Sequence, residues 1–366
     1  MDRIRFALIG VGGFGLKRLK SVLRNKDIAE LRYIVDTDVE KVRSLSKEYG
    51  IQYITFDELL GKNDYDVTII ATPNAYHEEL TIKLLDRGKD VWCEKPMTIS
   101  IDSARRMVMK SLETGAILKV GSNPRYFPNV RRAIDLLKQG YVGDKVLFFR
   151  GWIGNEGLHL LSKDWYVKKD LIGGGTLLDN GVHLIDLIRY LVYEITSCYS
   201  CKLFNLKYNL EGLEDNAVVI YGLANDGFSI VHSSWTEKSW YMYFEIHGNN
   251  GYIHVDSRWS KAIIKYGKGG DNEPVIEDLS NYPRLSYDLE LEDFIKDYKD
   301  GYHPKPTSYD GYRAVKVIML TYLSATNTNM MPIKLLNNED YELKSMFFKK
   351  FDVREAYIRI DGGQYE

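Results

Sequence analysis

Three cysteines in 366 residues are too few for a disulfide framework. They suit a reducing cytoplasm, where the chain is expected to reside. Cys198 and Cys201 do form a C-x-x-C, but no second pair or histidine cluster accompanies it. Alternation along a strand would turn those two side chains to opposite faces. A zinc site needs more ligands than these, so no metal is expected. No apolar run is long enough to span a bilayer, and the N-terminal sequence runs straight into a strand pattern, so no signal peptide is expected. Net charge is −2 and no basic block stands out, so neither a nucleic acid nor a membrane is expected as a partner. Internal repeats and low-complexity linkers are also missing. What remains is the composition of a globular protein, 45% hydrophobic and 27% charged, long enough at 366 residues for about two domains.

One stretch organises the rest. Leu8–Gly15 reads Gly-x-Gly-x-x-Gly at Gly10, Gly12 and Gly15, after an apolar strand pattern (Ile4, Phe6, Ala7, Leu8, Ile9) and before a helical one over Phe14–Leu23. That context makes it a dinucleotide-binding turn. Gly10 permits the tight bend, Gly12 lets backbone approach a pyrophosphate, and Gly15 lets helix pack on strand. Gly13 and Phe14 lie in the same turn, at a helix start whose N–H groups and dipole favour phosphate.

A second strand, Leu31–Val35, ends at Asp36, about 20 residues beyond the glycines, where a carboxylate can accept from ribose hydroxyls. Thr37 and Asp38 follow. No arginine stands there for a 2′-phosphate, so NAD is expected rather than NADP. The competing reading makes Asp36 only the cap of a helix over Val39–Tyr49. Strands at Val67–Ala71, Asp90–Cys93 and Ile117–Val120 alternate with helices, as in a doubly wound parallel sheet. Ligands bind beyond the carboxyl ends of such strands. Thr72, Pro73, Asn74 and His77, then Glu94 and Lys95, then the loop to Arg125 occupy that edge.

The pattern changes near residue 125. Strand-like runs at Thr196–Leu206, Asn216–Leu223, Gly227–Trp235, Trp240–His247 and Gly251–Val255 are joined by hairpin signals, Asn225-Asp226-Gly227 and Gly248-Asn249-Asn250-Gly251. They predict an open, mostly antiparallel sheet. The expected division is therefore 1–124 and 125–366. Alternating residues such as Val218, Ile220, Ile230 and His232 leave a second sheet face to be covered, so a homodimer or homotetramer is expected.

Gly173-Gly174-Gly175 precedes a helix over about Thr176–Val192. Asp179 and His183, four apart, share one face with Asp186 and Tyr190. Two readings stand: a solvated polar face, or an acid/base pair in which a histidine takes a hydroxyl proton. Lys95, at the carboxyl edge of the first sheet, is placed to stabilise a developing alkoxide. The stretch Trp152–Lys169, with Trp152, His159 and Trp165, reads as a loop placed to cover a substrate, or as aromatic rings packed simply on each other. Arg125 is counted with it. His77, His159, His232, His247, His254 and His303 have no partner at useful spacing.

Taken together, Gly10-x-Gly12-x-x-Gly15, Ala71-Thr72-Pro73-Asn74 with His77, Glu94-Lys95-Pro96, Gly143, and Gly173-Gly174-Gly175-x-x-x-Asp179-x-x-x-His183 resemble the Gfo/Idh/MocA oxidoreductases, over about Arg3 to Val255. The resemblance implies a Rossmann domain followed by a C-terminal α/β domain whose open sheet often makes subunit contacts. It implies a nicotinamide cofactor and a sugar, polyol or sugar-derivative substrate. By motif position Lys95, Asp179 and His183 take the active-site roles. Other readings are an inositol dehydrogenase, a redox-assisted glycoside hydrolase in which NAD is regenerated, and a non-catalytic dinucleotide sensor.

Overall fold

The apolar run at the start of the chain forms β1 (Ile4–Ile9), buried on both faces as a central parallel strand must be. The computed structural model describes residues 3–157, 165–326 and 332–354. Contacts group residues 1–123, 284–313 and 342–354 into one unit, and 124–283 with 314–341 into another. In the first unit β1 is joined by β2 (Ala29–Val35), β3 (Gln52–Tyr53), β4 (Val67–Ile70), β5 (Asp90–Cys93) and β6 (Leu118–Val120), all parallel, in the order β3-β2-β1-β4-β5-β6. Helix α1 (Gly13–Arg24) leaves the glycine turn, and α2 (Val39–Tyr49) follows β2. The order reverses between β1 and β4, which opens a crevice at their carboxyl ends.

This unit is not continuous in sequence. Residues 284–313, which the sequence analysis assigned to the second domain, return to it. The helix Ser286–Lys299 lies against α1. Its Leu291, Phe294 and Ile295 join Phe6, Leu8 and Trp92 in one apolar core, with Phe294 stacked 4.9 Å from Trp92. Periodicity within a helix does not fix which surface its apolar residues cover.

Charge completes the joint. Glu290 of the returning helix is fully buried and faces two cations, Arg18 Nη1 of α1 at 2.8 Å and Lys119 Nζ of β6 at 2.7 Å. Ser122 N–H donates to the same carboxylate. Arg18 also pairs with Glu94, just beyond β5. Arg18 and Lys119 both lie over the Trp92 ring, at 4.3 and 4.1 Å. Two carboxylates and two cations thus balance inside the unit. Burial alone would raise the Glu290 carboxyl, but Arg18 and Lys119 outweigh it and hold the pKa down to about 2.

In the second unit a nine-stranded sheet is expected only in part from sequence. β7 (Val146–Glu156) takes its last five residues from the loop expected over Trp152–Lys169. β8 (Ile195–Phe204), β9 (Asn216–Leu223), β10 (Phe228–Ser234), β11 (Thr236–Gly248) and β12 (Gly251–Asp256) match the strand patterns, and β13 (Ile263–Lys268), β14 (Val275–Asp278) and β15 (Ile333–Lys334) extend them. The order is β14-β13-β12-β11-β7-β10-β9-β8-β15; β10 lies parallel to β7 and the other described pairs are antiparallel. One face carries the core: Phe149, Ile153, Val219, Tyr221, Val231 and Phe244 pack against Leu184, Ile185 and Ile188 of the helix Val182–Leu191. The other face is the open one: among the described residues, Val218, Ile220 and Phe228 stand exposed on it.

One expectation fails in β8. Cys198 and Cys201 both point into the core, at 1% and 7% exposure. The pairing slips between Cys198 and Ser200, and an extra residue at such a bulge restores the facing that alternation would have reversed. Burial pushes both thiols above their ordinary pKa, Cys201 to about 12.

Removing one partner of a buried ion pair strands the other, at about 3–5 kcal/mol. Glu290→Gln should therefore lower unfolding free energy by about that amount in a denaturant titration at pH 7. Because the folded pKa is depressed, the carboxylate's contribution is complete above the ordinary value of 4.5 and fades as pH falls toward 2. The difference between Glu290→Gln and wild type should shrink across that window.

Candidate active site

The glycine turn has the geometry its spacing predicts. Gly10 sits at φ +88°, and a Cβ there would lie 2.6 Å from the Ala71 carbonyl oxygen. A Cβ on Gly15 would lie 1.9 Å from the Gly10 oxygen, whereas one on Gly12 would meet nothing within 4 Å. Gly10 and Gly15 are thus required by the fold, and Gly12 is open on the side a ligand would use. Gly13 is exposed and Phe14 half-buried beside it.

Asp36 closes the turn. Its carboxylate accepts from Val11 N–H at 2.7 Å and Asp38 N–H at 3.0 Å. The cap of α2 is Asp38, which accepts from Lys41 N–H; the capping reading of Asp36 is therefore set aside. Thr72 and Pro73 are half-buried at the end of β4, and Asn74 is buried.

His77 and Glu94 are both buried and bonded within the unit. His77 is 1% exposed, with Nδ1 3.0 Å from the Pro96 oxygen and Nε2 3.0 Å from the Thr72 oxygen. Burial lowers its pKa, only partly offset by those carbonyls and Glu94. The neutral ring donates to one carbonyl at a time and clamps the loops after β4 and β5 together. Glu94, buried against Arg18, anchors the second of these loops. Within Val91–Thr98 only Lys95 escapes burial. Its ammonium lies 5.4 Å from the centre of the Phe14 ring, beside the glycine turn.

In the second unit the glycine cluster makes room for a cap. A Cβ on Gly175 would lie 2.0 Å from the Glu214 oxygen. Glu214 accepts from Gly175 N–H at 3.0 Å and Leu177 N–H at 2.8 Å, where a carboxylate suits the positive end of the helix. Tyr322 O–H adds a third bond. The next turn, Leu177–Gly181, widens to i→i+5 spacing before the helix Val182–Leu191, a deviation frequent at functional sites.

Asp179 lies in the widened turn and His183 one turn on. The solvated-face reading is overturned: Asp179 and His183 are each 6% exposed, and Asp186 is buried too. Asp179 accepts from Trp235 Nε1–H at 3.0 Å and Tyr166 O–H at 3.3 Å. Neither Trp235 nor Glu214 was singled out from sequence. Both lie far along the chain, and a carboxylate's distant donor or acceptor leaves no spacing signal.

The expected substrate contacts divide. Trp165 is half-buried, with its ring 4.3 Å from that of Tyr166, next to Asp179. Arg125 is buried in a two-pronged pair with Asp186, at 2.8 and 2.5 Å, and stacks over Tyr190. Its guanidinium is used within the fold. Trp152 stands on the open face of the sheet beside Tyr243, opposite to Gly151 and Ile153, which meet the helix bearing His183. Strand alternation makes that separation unavoidable. His159 lies outside the described residues.

Comparison with known proteins agrees with this layout. Residues 4–122 match the profile of the oxidoreductase family with NAD-binding Rossmann fold (Gfo/Idh/MocA), and residues 130–254 match the Gfo/Idh/MocA C-terminal domain. The scyllo-inositol 2-dehydrogenase (NAD(+)) of Bacillus subtilis is 26% identical over 91% of this chain and 96% of its own length. The inositol 2-dehydrogenase of Rhizobium meliloti is 27% identical over 85% and 94%. A levoglucosan dehydrogenase solved with NADH shares the fold, with TM-score 0.82 at 21% identity, over 92% of this chain and all of that one.

The glycines separate fold from ligand. Gly12→Ala should melt within about 1 °C of wild type, since φ there is −68° and the space is open, yet weaken NAD at least about 10-fold in a fluorescence titration, because the methyl enters the pyrophosphate position. Gly15→Ala should instead lower the melting temperature, by overpacking against the Gly10 carbonyl.

Proposed function

The chain belongs to the Gfo/Idh/MocA oxidoreductases, and on that premise we propose that it transfers a hydride between a secondary ring hydroxyl, or the matching ketone, and a nicotinamide. The substrate class is a sugar, glycoside, sugar derivative or cyclic polyol. Inositol dehydrogenases among the relatives support a polyhydroxylated ring. Bound NAD supplies the hydride acceptor at its C4 carbon.

The chain's own residues do the rest. The α1 start and Gly12 receive the pyrophosphate. Asp36 keeps lone pairs for the adenosine ribose, and Thr37 and Asp38 offer no cation to a 2′-phosphate. The observation that carries the reading is Lys95, the partly exposed cation in an otherwise buried stretch, leaning over the glycine turn. There it binds the substrate oxygen and stabilises negative charge on it. His183 takes the hydroxyl proton as hydride leaves the same carbon, so a carbinol becomes a ketone. Asp179, held by Trp235 and Tyr166, orients that base or a neighbouring hydroxyl. Trp165 contributes an aromatic wall.

The open sheet face is the proposed contact with a second copy. Cross-strand register aligns Val218 with His232 and Trp152, and Ile220 with Ile230 and Arg150. Val218, Ile220 and Phe228 are 38%, 36% and 39% exposed there.

NADH formation across monosaccharides, glycosides and inositols tests the reaction. His183→Ala should lower kcat about 10²- to 10⁴-fold with NAD binding nearly intact, and Lys95→Ala at least as much. Folded variants that keep more than about a tenth of wild-type kcat would overturn the assignment. The wild type should bind NAD more tightly than NADP, and Asp36→Ala should narrow the gap. Light scattering at micromolar concentration should give at least a dimer, with Ile220→Asp shifted toward monomer; a monomeric wild type would overturn the assembly.

A further inference from the structure

On the open face, two histidines without a partner by spacing meet. Glu245 and His247 alternate on β11, so both face the same way, and His254 stands directly across from Glu245 on β12. Their ligand atoms gather within 4.8 Å of one another. His247 Nε2 is 3.2 Å from His254 Nε2 and 3.4 Å from Glu245 Oε2. Ligands bound at about 2.0–2.2 Å in a tetrahedron stand roughly 3.3–3.6 Å apart, so these two edges are close to those of a zinc site.

Neighbouring groups orient the donors. Tyr243 O–H gives its single proton to Glu245 Oε1 at 2.8 Å. Its oxygen is then an acceptor for His254 Nδ1–H, 3.4 Å away. That tautomer leaves the His254 Nε2 lone pair facing His247. His247 is held flat, stacked on Phe148 at 4.6 Å and Tyr252 at 5.7 Å. Ligands on paired strands with such outer contacts are pre-positioned. Two features oppose a cation. Arg150, across from Glu245 on β7, pairs with Oε2, with Nε at 2.9 Å, and Lys265 lies across from His254 on β13.

We infer that His247, His254 and Glu245 form a binding site for a divalent transition-metal ion of the zinc type, with the fourth position open to water. Two imidazoles and one carboxylate suit zinc and also cobalt, nickel or copper. The ion ties β11 to β12, and Glu245 shares its second lone pair with Arg150. The inference is independent of the hydride-transfer reading, because none of its residues serves that reaction.

The test uses the full chain after chelator treatment and dialysis, titrated with Zn²⁺ by calorimetry and with Co²⁺ by visible absorption. Expected are one ion per chain and cobalt bands of low-coordinate type. The His247→Ala/His254→Ala double variant should bind more than about 100-fold more weakly, and Tyr243→Phe about 10-fold more weakly. Arg150→Met should bind more tightly, since it frees the carboxylate; a structural hydrogen-bond cluster would not respond that way. Were the double variant to misfold, Tyr243→Phe and Arg150→Met would decide by their opposite shifts. A wild type that binds no Zn²⁺, variants that bind it as tightly as wild type, or an Arg150→Met that binds more weakly would overturn the site.

Discussion

Everything at the edge of the parallel sheet depends on a buried charge balance. Arg18 on α1, Glu94 after β5, Lys119 on β6 and Glu290 on a helix nearly 170 residues later meet around Trp92. Such groups are costly to desolvate and tolerable only when each finds its complement. The returning helix is therefore needed both for its apolar face and for its carboxylate. Lys95 directly follows Glu94, so the pair that anchors α1 also fixes where the loop with Lys95 begins. His77 ties that loop to the one after β4 from the other side. Arg18, Glu94 and His77 thus brace the loops after β4 and β5 through contacts within the unit.

The second unit solves a similar problem with neutral donors. Asp179 is buried, and an indole N–H and a phenol O–H donate to it. Glu214 is buried against backbone N–H groups at a helix start, and burial still raises its pKa. Hydrogen bonds to a carboxylate offset part of the desolvation penalty and orient the group. The widened turn at Leu177–Gly181 carries the carboxylate so positioned, with His183 in the first turn of the regular helix.

The open sheet face is polar and aromatic in rows rather than uniformly apolar. Register lines up Ile220, Ile230, Arg150, Glu245, His254 and Lys265 across six strands. One end of that row is greasy and the other charged. Apolar area at the β9–β10 end favours association, while the charged end is where strand pairing gathers groups that chain spacing keeps apart.

Short-range geometry was legible in the sequence. The glycine spacing, the strand before it and the helix after it determine a turn because steric rules act over a few residues, and Gly10 and Gly15 occupy the places those rules assign. Alternating elements gave the parallel sheet, and hairpin residues gave most of the antiparallel one. What the sequence left undecided is what depends on long-range contact. Only packing selected α1 as the partner of the Ser286–Lys299 helix. The buried state of Asp179 and His183 and the donors Trp235 and Tyr166 required the fold. So did the diversion of Arg125 to Asp186, the sidedness of Trp152 and the inward turn of both β8 cysteines. Local chain geometry decides which elements form; burial and charge pairing across distant segments decide which side chains are left for chemistry.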